Sequence, residues 1–176
     1  MKTVISIIAI LLITAATVGM ILYLSPGKTP ELSDAEKAVV INEVMSSNTG
    51  VYLDDKGKSS DWVELYNPSD EDVSLSRFSL SDDEDDLEQW TFPDVVLKAH
   101  GYIVVFLSGS KKDSGVGSLH APFKLNAKGD VLILSVSGSV VSRVELPPMD
   151  ENVSYVRAGN QWLLSNSPTP GKANGE

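Results

Sequence analysis

The chain has 176 residues, enough for one compact domain with a short appendage, and no cysteine, which removes disulfides, thiolate metal sites and a cysteine nucleophile. Its 24 acidic against 14 basic residues leave a formal charge of −10, which opposes nonspecific association with nucleic acid or anionic lipid. Stability must therefore come from packing, and a polyanionic ligand is not expected.

The first 24 residues stand apart. Val4 to Leu24 (VISIIAILLITAATVGMILYL) contains no charged residue. At 1.5 Å rise per residue such a helix spans about 31 Å, close to the hydrocarbon thickness of a bilayer. Lys2 and the N-terminal amine precede it and Ser25-Pro26-Gly27 breaks it, so the positive-inside rule orients it with the C-terminal domain outside the cytoplasm. The alternative is a signal peptide cleaved near Ala15-Ala16-Thr17 or Thr17-Val18-Gly19, giving a secreted protein. The apolar run continues through Met20–Leu24 past both sites, which favours a single-pass anchor. Residues 25–37 (SPGKTPELSDAEK) have linker composition, with a capping-box pattern at Ser33 and Glu36, and the domain is expected over 38–176.

From Ala38 onward the chain reads as strands. AVVINEVMS, DWVELYN, VSLSRFSLS, YIVVFLS, VLILSV and VVSRVEL are rich in β-branched and aromatic residues and are bounded by turn residues. The shorter QWTF, VVL, APFKL, VSYV and QWLL complete the set. In Asp61–Asn67, Val63 and Leu65 share one face, read as the core side, and Trp62, Glu64 and Tyr66 share the other. In VSLSRFSLS the apolar parity changes between Leu75 and Phe78, which predicts a bulge or turn near Ser76-Arg77. YIVVFL and VLIL are almost wholly apolar, so both of their faces should be covered. Ser137-Gly138-Ser139 predicts a hairpin between VLILSV and VVSRVEL. Short strands at this spacing, without helices, give an all-β, immunoglobulin-like antiparallel β-sandwich preceded by one N-terminal transmembrane or signal helix.

No catalytic motif is visible. His100 and His120 lie about twenty residues apart without a zinc-ligand pattern, and no nucleophile elbow or phosphate loop occurs. Both histidines read as structural or solvated residues, and no zinc site is expected. Glu43 and Glu64 are carboxylates of the kind glycosidases use, but nothing in the sequence sets them face to face. The acidic loops 54–61 (DDKGKSSD) and 82–88 (DDEDDLE) supply calcium candidates: Asp54, Asp55, Asp61, Asp82, Asp83 and Asp85. Lys56, Lys58 and Ser60 interrupt any EF-hand pattern, and solvated loops account for both stretches. Lys111-Lys112, with Lys124 and Lys128, is the only basic concentration and lacks interleaved aromatic residues.

Several phrases together resemble the lamin tail domain family. They are Ile41-Asn42-Glu43-Val44, Asp61–Asn67, Leu80-Ser81-Asp82-Asp83, Trp90-Thr91-Phe92-Pro93 and Leu97 with Gly101-Tyr102. They continue in order with Leu119-His120 and Phe123-Lys124-Leu125, Val153-Ser154-Tyr155 with Arg157, and Pro168-Thr169-Pro170-Gly171 with Asn174. The resemblance covers about residues 38–174. It implies an immunoglobulin-like sandwich of a kind found in nuclear lamins and in exported or membrane-attached bacterial and archaeal proteins, where it often accompanies hydrolase, nuclease or kinase-like domains. The family's links to DNA and chromatin are opposed here by the charge. The expected function is a non-catalytic, membrane-anchored extracytoplasmic interaction or scaffold module that binds a protein or envelope component. A calcium-dependent surface-binding module is the second reading, and a nucleic-acid-binding domain the third.

Overall fold

A computed structural model describes residues 31–110 and 117–175. The apolar segment 4–24 and the Lys111-Lys112 pair lie outside the described residues, and no helix among those residues is long and apolar enough to cross a membrane.

The compact unit begins at Leu32. A one-turn helix, α1 (Asp34–Ala38), is started by a full capping box: the Ser33 hydroxyl accepts the Glu36 N–H, and the Glu36 carboxylate accepts the Ser33 N–H. Leu32 and Ala35 pack against the core, and Glu36 pairs with Arg77 at 3.1 Å. Part of the stretch read as linker is therefore folded onto the domain.

Twelve strands follow among the described residues. They are β1 (Val40–Met45), β2 (Asp61–Tyr66), β3 (Val73–Ser74), β4 (Phe78–Ser81), β5 (Trp90–Thr91), β6 (Val96–Leu97), β7 (Tyr102–Leu107), β8 (Leu119–Ala121), β9 (Asp130–Val136), β10 (Ser139–Leu146), β11 (Ser154–Ala158) and β12 (Gln161–Ser165). One layer is a six-stranded sheet in the order β12-β11-β1-β2-β7-β8, the other a four-stranded sheet in the order β10-β9-β4-β5, and β3 pairs with β6. The all-β, immunoglobulin-like sandwich read from the sequence is the fold. It is antiparallel except for β7 and β8, which run parallel, a pairing that strand composition does not encode.

The core lies between the layers. Ile41, Val44, Val63, Leu65, Val105 and Leu107 point inward from the large sheet and meet Phe78, Leu80, Leu132, Leu134, Val136 and Val144 of the small one. Register agrees with this alternation: Val44 opposes Val63, Leu80 opposes Leu134 and Phe78 opposes Val136. The parity change in VSLSRFSLS is a turn, closed by the Phe78 N–H donating to the Leu75 carbonyl at 2.8 Å, and it lets Leu75 and Phe78 both enter the core. The β9–β10 hairpin turns on Ser137 (φ 48°) and Gly138 (φ 75°), the positive pair a two-residue type I′ turn needs. A Cβ at 138 would meet no atom within 4 Å, so Gly138→Ala is expected to cost only the backbone strain, about 1 kcal/mol in chemical denaturation.

Part of the outward face of the large sheet is covered as well. There Met45, Trp62 and Phe106 form a second buried cluster with Tyr52 and Val104, roofed by the loop 46–60. That loop is organised by Asn48, whose carbonyl oxygen accepts the N–H groups of Gly50, Val51 and Tyr52 while its amide donates to the Tyr52 and Ser60 carbonyls. Asn67 performs the same service at the other end of β2, donating to the carbonyls of Glu71, Leu97 and Lys98. The strand Asp61–Tyr66 is thus buried on both sides and tied at its exit.

Candidate functional site

Two chemistry-bearing groups lie on the outer face of the six-stranded sheet. The first is the pair Glu43 and Glu64, both fully buried. A β-bulge at Asn42 shifts the β1–β2 register, so that Ile41 opposes Leu65 but Glu43, not Asn42, opposes Glu64. The two carboxylates therefore stand side by side on the outer face, an arrangement that alternation alone would not produce.

The C-terminal segment 169–174 closes over them. Both oxygens of Glu43 accept the Thr169 N–H at 3.1 Å, and the Thr169 hydroxyl donates to Glu43 at 2.9 Å. Glu64 accepts the Gly171 N–H on one oxygen and the Asn42 side-chain amide, at 2.8 Å, on the other. Asn174 completes the knot by donating to the Asn42 and Arg157 carbonyls at 3.0 and 2.8 Å. Burial, offset in part by the Asn42 and Gly171 donors and reinforced by the Glu43 charge, pushes the Glu64 carboxyl up to about 7. The separate phrases Ile41–Val44, Asp61–Asn67 and Pro168–Gly171 with Asn174 are thus one hydrogen-bonded clasp. Its acceptors are occupied by the chain's own donors, so it fastens the C-terminal segment and presents no free carboxylate.

The second group is formed by Asp54, Asp55 and His120, whose ligand-bearing atoms lie within 4.8 Å of one another. Asp54 and Asp55 lie in the roofing loop 46–60, and His120 lies on β8, in register with Phe106 and stacked on its ring at 5.5 Å. The parallel β7–β8 pairing carries His120 onto the outer face beneath that loop.

The other acidic candidates lie elsewhere. Asp61 accepts the Leu125 N–H at 3.1 Å, and burial raises its carboxyl to about 6 despite that bond and the nearby Lys124 charge. Asp82, Asp83 and Asp85 belong to a loop that folds over the outer face of the small sheet, fixed there by the Ser135 hydroxyl donating to the Leu87 carbonyl at 2.8 Å. Within that loop Asp83 accepts the Asp85 N–H, and Glu84 pairs with Arg143. Asp54 and Asp55 thus lie on one outer face of the sandwich and Asp82, Asp83 and Asp85 on the other, so the six calcium candidates do not converge on one site. His100 is exposed and bonds Asp70 at 2.8 Å, as a solvated turn residue would.

The chain has no match among curated proteins. A family model described as Lamin Tail Domain matches residues 33–147, from the N-cap of α1 to just past the end of β10. β11 and β12, which complete the six-stranded sheet, and the clasping segment follow the matched range. With well over half its length matched, and with the two-layer β-sandwich that the family's immunoglobulin-like domain requires, the chain belongs to the lamin tail domain family.

Proposed function

We propose that this protein is a non-catalytic, membrane-anchored interaction module displayed outside the cytoplasm, and that it holds a partner protein through the free edge of β12. The uncharged segment Val4–Leu24 supports the anchor. The edge itself carries the interaction reading. Among the described residues β12 pairs with β11 on one side only, and its sequence, Gln161-Trp162-Leu163-Leu164-Ser165, holds none of the charges or prolines that normally protect an edge. Leu163 and Leu164 are 52% and 54% exposed. The remaining edges are blunted: β8 and β5 have three and two residues, and β10 carries Arg143, Glu145 and a register shift between Val140 and Ser142. An extended partner segment added to β12 would satisfy its outward backbone groups and cover both leucines.

The clasp supports the non-catalytic half of the reading, because the buried Glu43–Glu64 pair is consumed in hydrogen bonds to the chain itself. Full-length protein carrying a photo-crosslinking residue at position 163 and expressed in its own membrane is expected to give a discrete adduct with a second, different protein. Leu164→Lys should reduce that adduct at least tenfold while leaving the thermal melt unchanged. Adducts with copies of itself alone, or an adduct insensitive to Leu164→Lys, would contradict the reading. Hydrolysis of phosphoester, glycoside or peptide substrates by the purified full-length protein would contradict its non-catalytic half.

A further inference from the structure

His120 is 2% exposed, yet neither of its ring nitrogens has a hydrogen-bond partner among the described residues. Buried polar atoms are almost always satisfied, and one left alone often marks the place of an ion or water. Its Nε2 stands 3.6 Å from Asp54 Oδ2, too far for a hydrogen bond. It is the right separation for two ligands of one ion, because donors about 2.1 Å from a tetrahedral metal lie about 3.4 Å apart.

The surroundings hold these atoms in place. Asp54 Oδ1 accepts the Lys56 and Lys58 N–H groups at 2.9 and 2.8 Å, which leaves Oδ2 directed at the imidazole. The Phe106 ring fixes the plane of His120. The Asp55 N–H donates to the Ser118 hydroxyl at 3.1 Å, and Gly117 (φ 124°) passes so close that a Cβ there would overlap the Asp55 carboxylate. A glycine at 117 is what gives that carboxylate its room.

We infer that Asp54, Asp55 and His120 form a binding site for a divalent transition cation, zinc in the first instance, that ties the loop 46–60 to the edge strand β8. The donor set decides the metal class. Calcium takes six to eight oxygens and magnesium near-ideal octahedral oxygen coordination, whereas one imidazole nitrogen with two carboxylates suits zinc and its first-row neighbours. Asp54 and His120 are buried and Asp55 is exposed, so three protein ligands would approach from the sheet and loop while a fourth position opens outward. The distance in sequence from the adjacent Asp54 and Asp55 to His120 also explains why no motif announces them.

The test is equilibrium dialysis of chelator-stripped full-length protein against zinc, with bound metal measured per chain, alongside the visible absorption of the cobalt(II)-loaded protein. Wild type is expected to retain one zinc more per chain than Asp55→Asn at the same free zinc concentration. Asp55→Asn, an exposed change that leaves the core untouched, should weaken binding at least tenfold, and His120→Gln should abolish that equivalent together with the nitrogen-containing cobalt spectrum. Millimolar calcium should not displace the metal. Zinc retention equal in wild type and Asp55→Asn, or calcium binding that survives His120→Gln, would overturn the inference and leave His120 and Asp54 as a water-bridged pair.

Discussion

Trp62→Ala is expected to destabilise the domain by about 3–5 kcal/mol, the usual cost of removing a fully buried aromatic side chain, and to do so from the face of the sheet that faces away from the sandwich core. Trp62 is inaccessible to solvent and packs with Met45 and Phe106 beneath Tyr52, whose ring meets it edge-on at 6.0 Å. Its loss would open a void under the loop 46–60, which carries Asp54 and Asp55. Trp62→Phe should cost less than about 1.5 kcal/mol, because the indole N–H has no hydrogen-bond partner among the described residues and its removal leaves no acceptor of theirs unpaired. Denaturant titration of both variants checks the ordering. Near-equal losses would mean that the indole N–H carries a bond that the packing around it does not reveal.

The clasp predicts a pH dependence with a definite sign. Glu64 moves from an ordinary value of 4.5 to about 7 in the folded protein, so between these values the native state holds a proton that the unfolded chain has released. Unfolding is then favoured as pH rises, and the stability associated with protonated Glu64 is complete below pH 4.5 and lost through pH 7. After allowance for solvent screening, the loss is on the order of 2 kcal/mol. Asp61, raised from 3.8 to about 6, acts in the same direction but at lower pH. The Glu64 contribution is therefore separable between pH 6 and 8. There, the stability of Glu64→Gln should stay nearly level while the wild type declines. Parallel curves for the two proteins in that range would show that Glu64 does not titrate as its burial requires.

How much of this was legible depends on whether a feature is local in the chain. The alternation in Asp61–Asn67 placed Val63 and Leu65 in the core, the parity break located the turn at Ser76-Arg77, and Ser137-Gly138 set the hairpin, because each is decided within a few residues. The apolar run YIVVFL reads as a strand covered on both sides, which holds for its second half, where Val105 and Leu107 face the core and Phe106 lies beneath Tyr52, while Tyr102, Ile103 and Val104 are only partly buried. The bulge at Asn42 was hidden, and with it the meeting of Glu43 and Glu64, since a single extra residue changes partners without changing composition. The convergence of Asp54 and Asp55 with His120 depends on the parallel β7–β8 pairing and on a loop folded by Asn48. Acidic runs attract attention to Asp82, Asp83 and Asp85, but charge density in sequence does not say over which face of a sandwich a loop will fold.

The structural features have distinct roles. The clasp fastens the segment that follows β12, the aromatic cluster holds the loop 46–60, and both leave β12 as the longest unprotected edge of the described sandwich. The most direct test of the central claim is amide hydrogen exchange over residues 161–165, comparing the full-length protein in its native membrane with the same protein purified. Engagement of β12 predicts that its outward-facing amides exchange at least tenfold more slowly in the membrane while those of β10 are unchanged. Equal exchange of β12 in the two preparations would contradict it.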